Sequence, residues 1–127
     1  MPDLTMTTTT LDTRWVKYAK NLAEQVDGKY RVCAIAFDKR GRPIAHGVNS
    51  YSQTHPRQSE LAYLSGNPHK QYLHAEIACL VKCRRTPVKL MVVRIDRQGN
   101  TCMARPCTIC NQAIFEAGIK TVEYTIG

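Results

Sequence analysis

Val88-Lys89-Leu90-Met91-Val92-Val93-Arg94-Ile95 is the stretch whose reading decides the fold. A strand with one wet face alternates apolar with polar residues, whereas this run is almost continuously apolar and rich in β-branched side chains. It therefore belongs in the middle of a sheet covered on both faces. Thr86-Pro87 before it and Arg97-Gln98-Gly99-Asn100 after it supply the breakers that bound a strand. Elements able to cover such a strand lie on both sides of it in the chain.

Upstream, His74 to Arg85 reads as a helix with Ile77, Leu80, Val81 and Arg84 on one face, stopped at Thr86-Pro87. Downstream, Cys107 to Ala117 reads as a second helix capped by Gly118, and Lys120 to Ile126 as a last strand. Further out, Tyr30 to Phe37 and Ile44 to Val48 flank a turn containing Gly41 and Pro43, which reads as a hairpin. Leu11, Trp15, Tyr18, Leu22 and Val26 recur at helical spacing, with Asp12 or Thr13 as cap and Asp27-Gly28 as stop. Residues 1–12, with Thr7-Thr8-Thr9-Thr10 inside them, show no periodicity and read as a flexible N-terminal arm, with order starting near Leu11. The order is helix, two strands, helix, strand, helix, strand, which packs naturally as one three-layer α/β domain over residues 13–127. Asn49 to Leu73, broken by Pro56, Gly66, Asn67 and Pro68, reads as a long irregular or partly helical segment facing a ligand.

Composition narrows the class. With 127 residues, 43% hydrophobic and 22% charged, the chain suits one globular domain. No apolar run approaches the roughly 18 residues of a membrane span, and the first residues lack the basic and apolar segments of a secretory leader. Two of the six cysteines carry metal spacing and the others sit in apolar or helical surroundings, which favours a reduced, cytoplasmic setting over a disulfide framework. The +8 net charge suits an anionic partner, a nucleotide phosphate or a nucleic acid strand, but scattered lysines and arginines serve solubility equally well. Arg84 and Arg85, at a helix end, already complement its dipole.

The chemistry is concentrated in His74-Ala75-Glu76 and Pro106-Cys107-Thr108-Ile109-Cys110. One imidazole and two thiolates suit Zn²⁺, and three protein ligands leave a fourth position for water. Cys107 and Cys110, three apart in a first helical turn, present both sulfurs on one face, near amides that favour thiolate. Glu76, beside His74 but not needed as a ligand, can move protons to and from that water. Alone, a C-x-x-C motif is also a redox pair or half of a structural zinc knuckle. Cys102 is a rival fourth ligand that would close the site, although a closed structural site has no use for Glu76. Cys79, Cys83 and Cys33 read as buried reduced thiols. Among the other histidines His55, in Thr54-His55-Pro56-Arg57, is a candidate for meeting a substrate phosphate; His46 and His69 read as ordinary surface or hydrogen-bonding groups.

The H-x-E…P-C-x-x-C pattern resembles the zinc-dependent nucleobase deaminases, and the chain is identified as a member of the cytidine and deoxycytidylate deaminase superfamily. Asn111-Gln112-Ala113-Ile114 and Gly118-Ile119-Lys120-Thr121-Val122 make it most similar to the branch holding deoxycytidylate and tRNA adenosine deaminases. Histidine in the first motif, where free cytidine deaminases usually carry cysteine, points the same way. The resemblance implies a three-layer αβα sandwich with a central mixed sheet and a minimal C-terminus. It also implies Zn²⁺ on His74, Cys107 and Cys110, with Glu76 as catalytic proton shuttle. Ala75 and Pro106 would border the substrate, and Asn49 would bind its sugar or base unless it is only a turn residue after Val48. Arg57, Lys70 and Arg105 are the phosphate candidates. The implied reaction is deamination of a cytosine nucleotide, deoxycytidine monophosphate first, with a base inside RNA or single-stranded DNA as the alternative. A non-enzymatic zinc-stabilised nucleic-acid-binding module is a third reading. Apolar helix faces left over in a small domain make a homo-oligomer the expected assembly. Arg97 to Ala104 forms a longer, more hairpin-like approach to the cysteines than these relatives usually have.

Overall fold

The computed structural model describes residues 5–7, 11–67 and 72–127. His69 and Lys70, one of the phosphate candidates, lie outside them. The main sheet runs β1 (Thr5–Thr7), β6 (Thr121–Tyr124), β4 (Lys89–Ile95), β2 (Arg31–Phe37), β3 (Pro43–Val48), and β5 (Thr101–Cys102) pairs with the end of β4. β4 is central, as its apolar run requires. It pairs antiparallel with β2 from Arg31↔Ile95 to Phe37↔Lys89 and parallel with β6 from Lys89↔Thr121 to Val92↔Tyr124, so the sheet is mixed.

Alternation along the two inner strands divides the core. Cys33, Ile35 and Phe37 of β2 and Met91, Val93 and Ile95 of β4 face α1 (Thr13–Ala23), where Ala19 and Ala23 are buried. Ala34, Ala36, Leu90 and Val92 face the other way, toward Ala75 and Cys79 of α3 (Ala75–Leu80) and Ile114 of α4 (Thr108–Glu116). The alanines on that face let α3 sit close. Gly47 of β3 goes further, because a Cβ there would lie 2.4 Å from the Cys79 nitrogen and 2.9 Å from the Ala75 oxygen. α3 therefore rests on bare backbone.

Several expectations are corrected. Regular structure begins before Leu11: within the stretch read as a loose arm, the backbone of Thr5–Thr7 pairs in parallel with β6. α1 keeps Asp12 as its cap, the carboxylate accepting from the Arg14 N–H at 2.9 Å, but ends at Ala23. α3 also ends early. The Lys82 N–H bonds to the Cys79 oxygen and the Cys83 N–H to the Leu80 oxygen, a tightening to i→i+3 that closes the helix ahead of Pro87. Val81 and Arg84, expected on the apolar face, are exposed. Buried residues occupy the whole run Ala75 to Cys79, because α3 is enclosed on nearly all sides. The long segment after Asn49 contains α2 (Pro56–Leu64), whose Leu61 and Ala62 pack on Ile77 of α3 and on Ile109 and Ala113 of α4. Gly118, just after the Ala117 C-cap of α4, has a φ of 79° and provides the left-handed residue a helix terminus favours. Among the described residues no helix is long and apolar enough to cross a membrane.

Candidate metal centre and active site

α3 and α4 begin at the same place. His74 is the N-cap of α3 and Cys107 the N-cap of α4, both in extended conformation, and neither side chain caps its own helix. The side chains turn toward each other instead. His74 Nδ1 lies 3.3 Å from Cys110 Sγ and 3.6 Å from Cys107 Sγ, and the three donor atoms lie within 4.8 Å of one another. Tetrahedral zinc with its usual bond lengths separates nitrogen and sulfur ligands by about 3.6 Å and two sulfurs by about 3.8 Å. The residues fit the ion. Cys102 does not join them; its thiol donates to the Asn100 oxygen at 3.6 Å on β5, which leaves the rival closed Cys₃His set without geometric support.

Electrostatics follow from crowding. The thiol of Cys107 is held down to about 3, first by the hydrogen bond from Cys110 and then by His74, while Cys110 is pushed up by the same bond and by burial. Glu76 is 7% exposed, and burial is the largest influence, raising its carboxyl above the ordinary value.

A cavity of about 620 Å³ opens on this cluster. Among the described residues its lining includes His74, Ala75, Glu76, Cys107 and Asn49 from the sequence-derived set, with Arg105. Asn49 is anchored: its Oδ1 accepts from the Val32 N–H at 2.9 Å and its Nδ2 donates to the Tyr30 oxygen at 2.9 Å. Its amide thus ties the end of β3 to the start of β2 at the cavity wall. Pro106 is buried and outside the described lining.

His55 and Arg57, expected as phosphate contacts, are not among the described residues lining the cavity. His55 is the N-cap of α2 and accepts from the Arg57 N–H at 3.0 Å, with Pro56 at the first helical position. Arg57 pairs with Glu60 and, across to α4, with Glu116.

The structure adds residues the sequence did not single out. Tyr30, Tyr51 and Tyr72 line the cavity and are 46%, 43% and 56% exposed, so their rings border its mouth. Arg94 also lines it, with its guanidinium 4.6 Å from the centre of the Tyr30 ring. Gln58, fully buried on α2, accepts from the His74 N–H at 3.1 Å. Two signals would have found Gln58: His55-Pro56 as a helix start, and Gln58, Leu61, Ala62 as a spacing that puts it on the apolar face.

The likenesses to known proteins agree with this geometry. Residues 9–126 match the profile of the cytidine and deoxycytidylate deaminase zinc-binding region. The fold is similar to that of the dCMP deaminase of cyanophage S-TIM5, with 25% identity and a TM-score of 0.59 over 87% of this chain and 79% of that one. It is also similar to cytidine deaminase from Mycobacterium tuberculosis, at 21% identity and TM-score 0.53 over 90% and 85%. For the Mycobacterium leprae enzyme the values are 22% and 0.50 over 87% of each chain. No curated relative matches in sequence. With a zinc-fitting His/Cys/Cys cluster beside a buried glutamate, and nearly the whole length covered by the profile, the chain belongs to the cytidine and deoxycytidylate deaminase zinc-binding family and is a hydrolytic deaminase.

Proposed function

We propose that the substrate is a free cytosine nucleotide, deoxycytidine monophosphate first, hydrolysed to the uracil nucleotide and ammonia. The observation that carries this reading is the lining of the cavity: Glu76, His74 and Cys107 together with Arg94 and Arg105, cations suited to a phosphate. The 25% identity to a dCMP deaminase supports it. Three tyrosines at the mouth favour a flat aromatic ring.

His74, Cys107 and Cys110 would hold the zinc, which when bound supplies a Lewis acid that makes a water acidic near neutral pH. Glu76 is the proton carrier. Its carboxylate takes a proton from the water that adds to the amine-bearing ring carbon and passes it to the neighbouring ring nitrogen. It then takes up the second water proton and delivers it to the amine. The carbon–nitrogen bond breaks and ammonia leaves, so atoms balance with one water consumed. Ala75, at the cavity wall, offers its backbone to the base, and Asn49 holds the strand edge against which the nucleoside lies. Pro106 stiffens the approach to Cys107. Six free cysteines support a reduced, cytoplasmic setting. Exposed Met103 and Ile126, joined by a β-bridge, support self-association.

The test is ammonia release from the zinc-loaded protein with dCMP, CMP, deoxycytidine and a deoxycytidine-containing oligonucleotide. dCMP should be turned over fastest, and Arg94→Ala with Arg105→Ala should raise KM for dCMP about tenfold, the scale of one charge-assisted contact, while leaving deoxycytidine unchanged. Activity confined to the oligonucleotide would replace this substrate with a polynucleotide.

A further inference from the structure

We infer that α2 is a clamp on the metal centre and that Gln58 is a positioning residue for the ligand His74, an inference resting on the reading of His74 as a zinc ligand. The need for it arises at the start of α3. An N-cap residue leaves its own backbone N–H outside the helix, and where the third helical residue is Glu or Gln that side chain reaches back to it. In α3 that position is Ile77, which has no acceptor. The His74 imidazole points to Cys107 and Cys110 and caps nothing in its own helix. The N–H is taken instead by Gln58, sixteen positions earlier on another helix, with the Oε1 acceptor at 3.1 Å.

Such a bond fixes more than a donor. It holds the backbone at the residue whose side chain must meet two sulfurs, so a shift of the His74 main chain moves Nδ1 directly. Gln58 is fully buried, and burying an amide is costly unless it is bonded, which makes a polar residue at this place hard to explain as packing alone. The helix carrying it is anchored to the second ligand helix as well. Leu61 and Ala62 pack on Ile109 and Ala113, and the Arg57 guanidinium pairs with the Glu116 carboxylate at the far end of α4. α2 therefore touches the backbone of one ligand and the helix of the other two. It sets their separation before an ion arrives.

Replacing a group that orients a metal ligand typically changes metal affinity or activity 10- to 100-fold. Zinc affinity is measured by competition with a chromophoric chelator, and geometry by the visible absorption of the Co²⁺-substituted protein. Gln58→Met, which keeps length and loses the acceptor, should weaken zinc binding about tenfold or more and alter the Co²⁺ bands. It should also lower kcat with KM changed by less than about threefold, as expected when the reacting geometry and not the binding wall is disturbed. Gln58→Glu, which keeps an acceptor at the same reach, should recover most of the affinity and the spectrum. Wild-type affinity and spectrum in Gln58→Met would overturn the inference and leave Gln58 a packing residue. If Gln58→Met does not fold, Gln58→Asn, which withdraws the acceptor by one methylene, carries the same expectation and the same contrary result. His74→Ala separates the two readings: if it too binds zinc normally, the ligand assignment has failed, whereas loss of zinc there with none in the Gln58 variants sinks only the clamp.

Discussion

At the residue scale the centre depends on three donors that the chain brings together from two helix starts. Ligands three apart, or one beside a carboxylate, are local patterns, and His74, Glu76, Cys107 and Cys110 were for that reason legible in sequence. The spacing of Gln58 with Leu61 and Ala62 places it on a buried helix face, but its bond to His74 is not legible, because the donor is a backbone N–H on another helix and no local spacing encodes that meeting. The helix-start role of His55 and Arg57 was hidden for a related reason. A histidine before proline looks like a loop ligand, yet the same pair is a helix start, and the ring nitrogen is spent on the Arg57 N–H. The cysteines give a discriminating prediction. Cys102→Ser should retain about one zinc per chain and wild-type turnover, whereas Cys110→Ser should lose most of its zinc; atomic absorption on the dialysed proteins checks both. Equal zinc loss in the two would restore Cys102 as a ligand.

At the element scale, the strands and helices followed from periodicity, and the misplaced boundaries have physical causes. Sequence spacing extended α3 to Arg85, but enclosure by β3, α2 and α4 ends at Cys79, and the chain tightens to leave the helix. How close α3 approaches the sheet is decided by Gly47, where a Cβ would overlap the α3 backbone. Gly47→Ala should destabilise the fold by at least about 1–3 kcal/mol, the cost of forcing atoms into a packed core, and should lower zinc affinity because His74 begins that helix. Chemical denaturation and the chelator assay measure the two effects; an unchanged midpoint would contradict the close packing.

The β2–β3 turn makes a pH prediction. Asp38 accepts from the Arg40 and Arg42 N–H groups at 2.9 and 3.0 Å, and the Arg42 N–H is the main cause holding its carboxyl below the ordinary value. A group whose pKa is depressed by folding stabilises above its unfolded value, about 3.9, and loses that contribution as pH falls through the folded one. Asp38→Asn should lower Tm at pH 7, with the gap from wild type closing as pH drops below about 4. A gap independent of pH would mean that the turn depends on shape and not on charge.

At the scale of the whole molecule, the continuous apolar run from Val88 to Ile95 fixed a central strand and hence a layer of helices on each side. The sheet order was not legible, because pairing of β4 with β2, β6 and β5 is a matter of which edges meet. Nor was the pairing of Thr5–Thr7, whose residues carry no apolar pattern. The +8 charge was legible as a quantity and ambiguous as a function. Salt separates its meanings. With a free mononucleotide as substrate, kcat/KM should fall less than about tenfold between 50 and 200 mM salt, whereas a polynucleotide held by six or more phosphate contacts would lose about a thousandfold.

The fold brings the Glu76 carboxylate beside the His74, Cys107 and Cys110 cluster, and the proposed reaction requires that carboxylate to carry protons. Turnover of dCMP by Glu76→Gln, measured as ammonia released by protein that still holds one zinc per chain, tests it most directly. The expected loss is about a hundredfold to ten-thousandfold, the usual contribution of a positioned acid–base group, with zinc retained. A zinc-loaded Glu76→Gln protein turning over within a few-fold of wild type would contradict it.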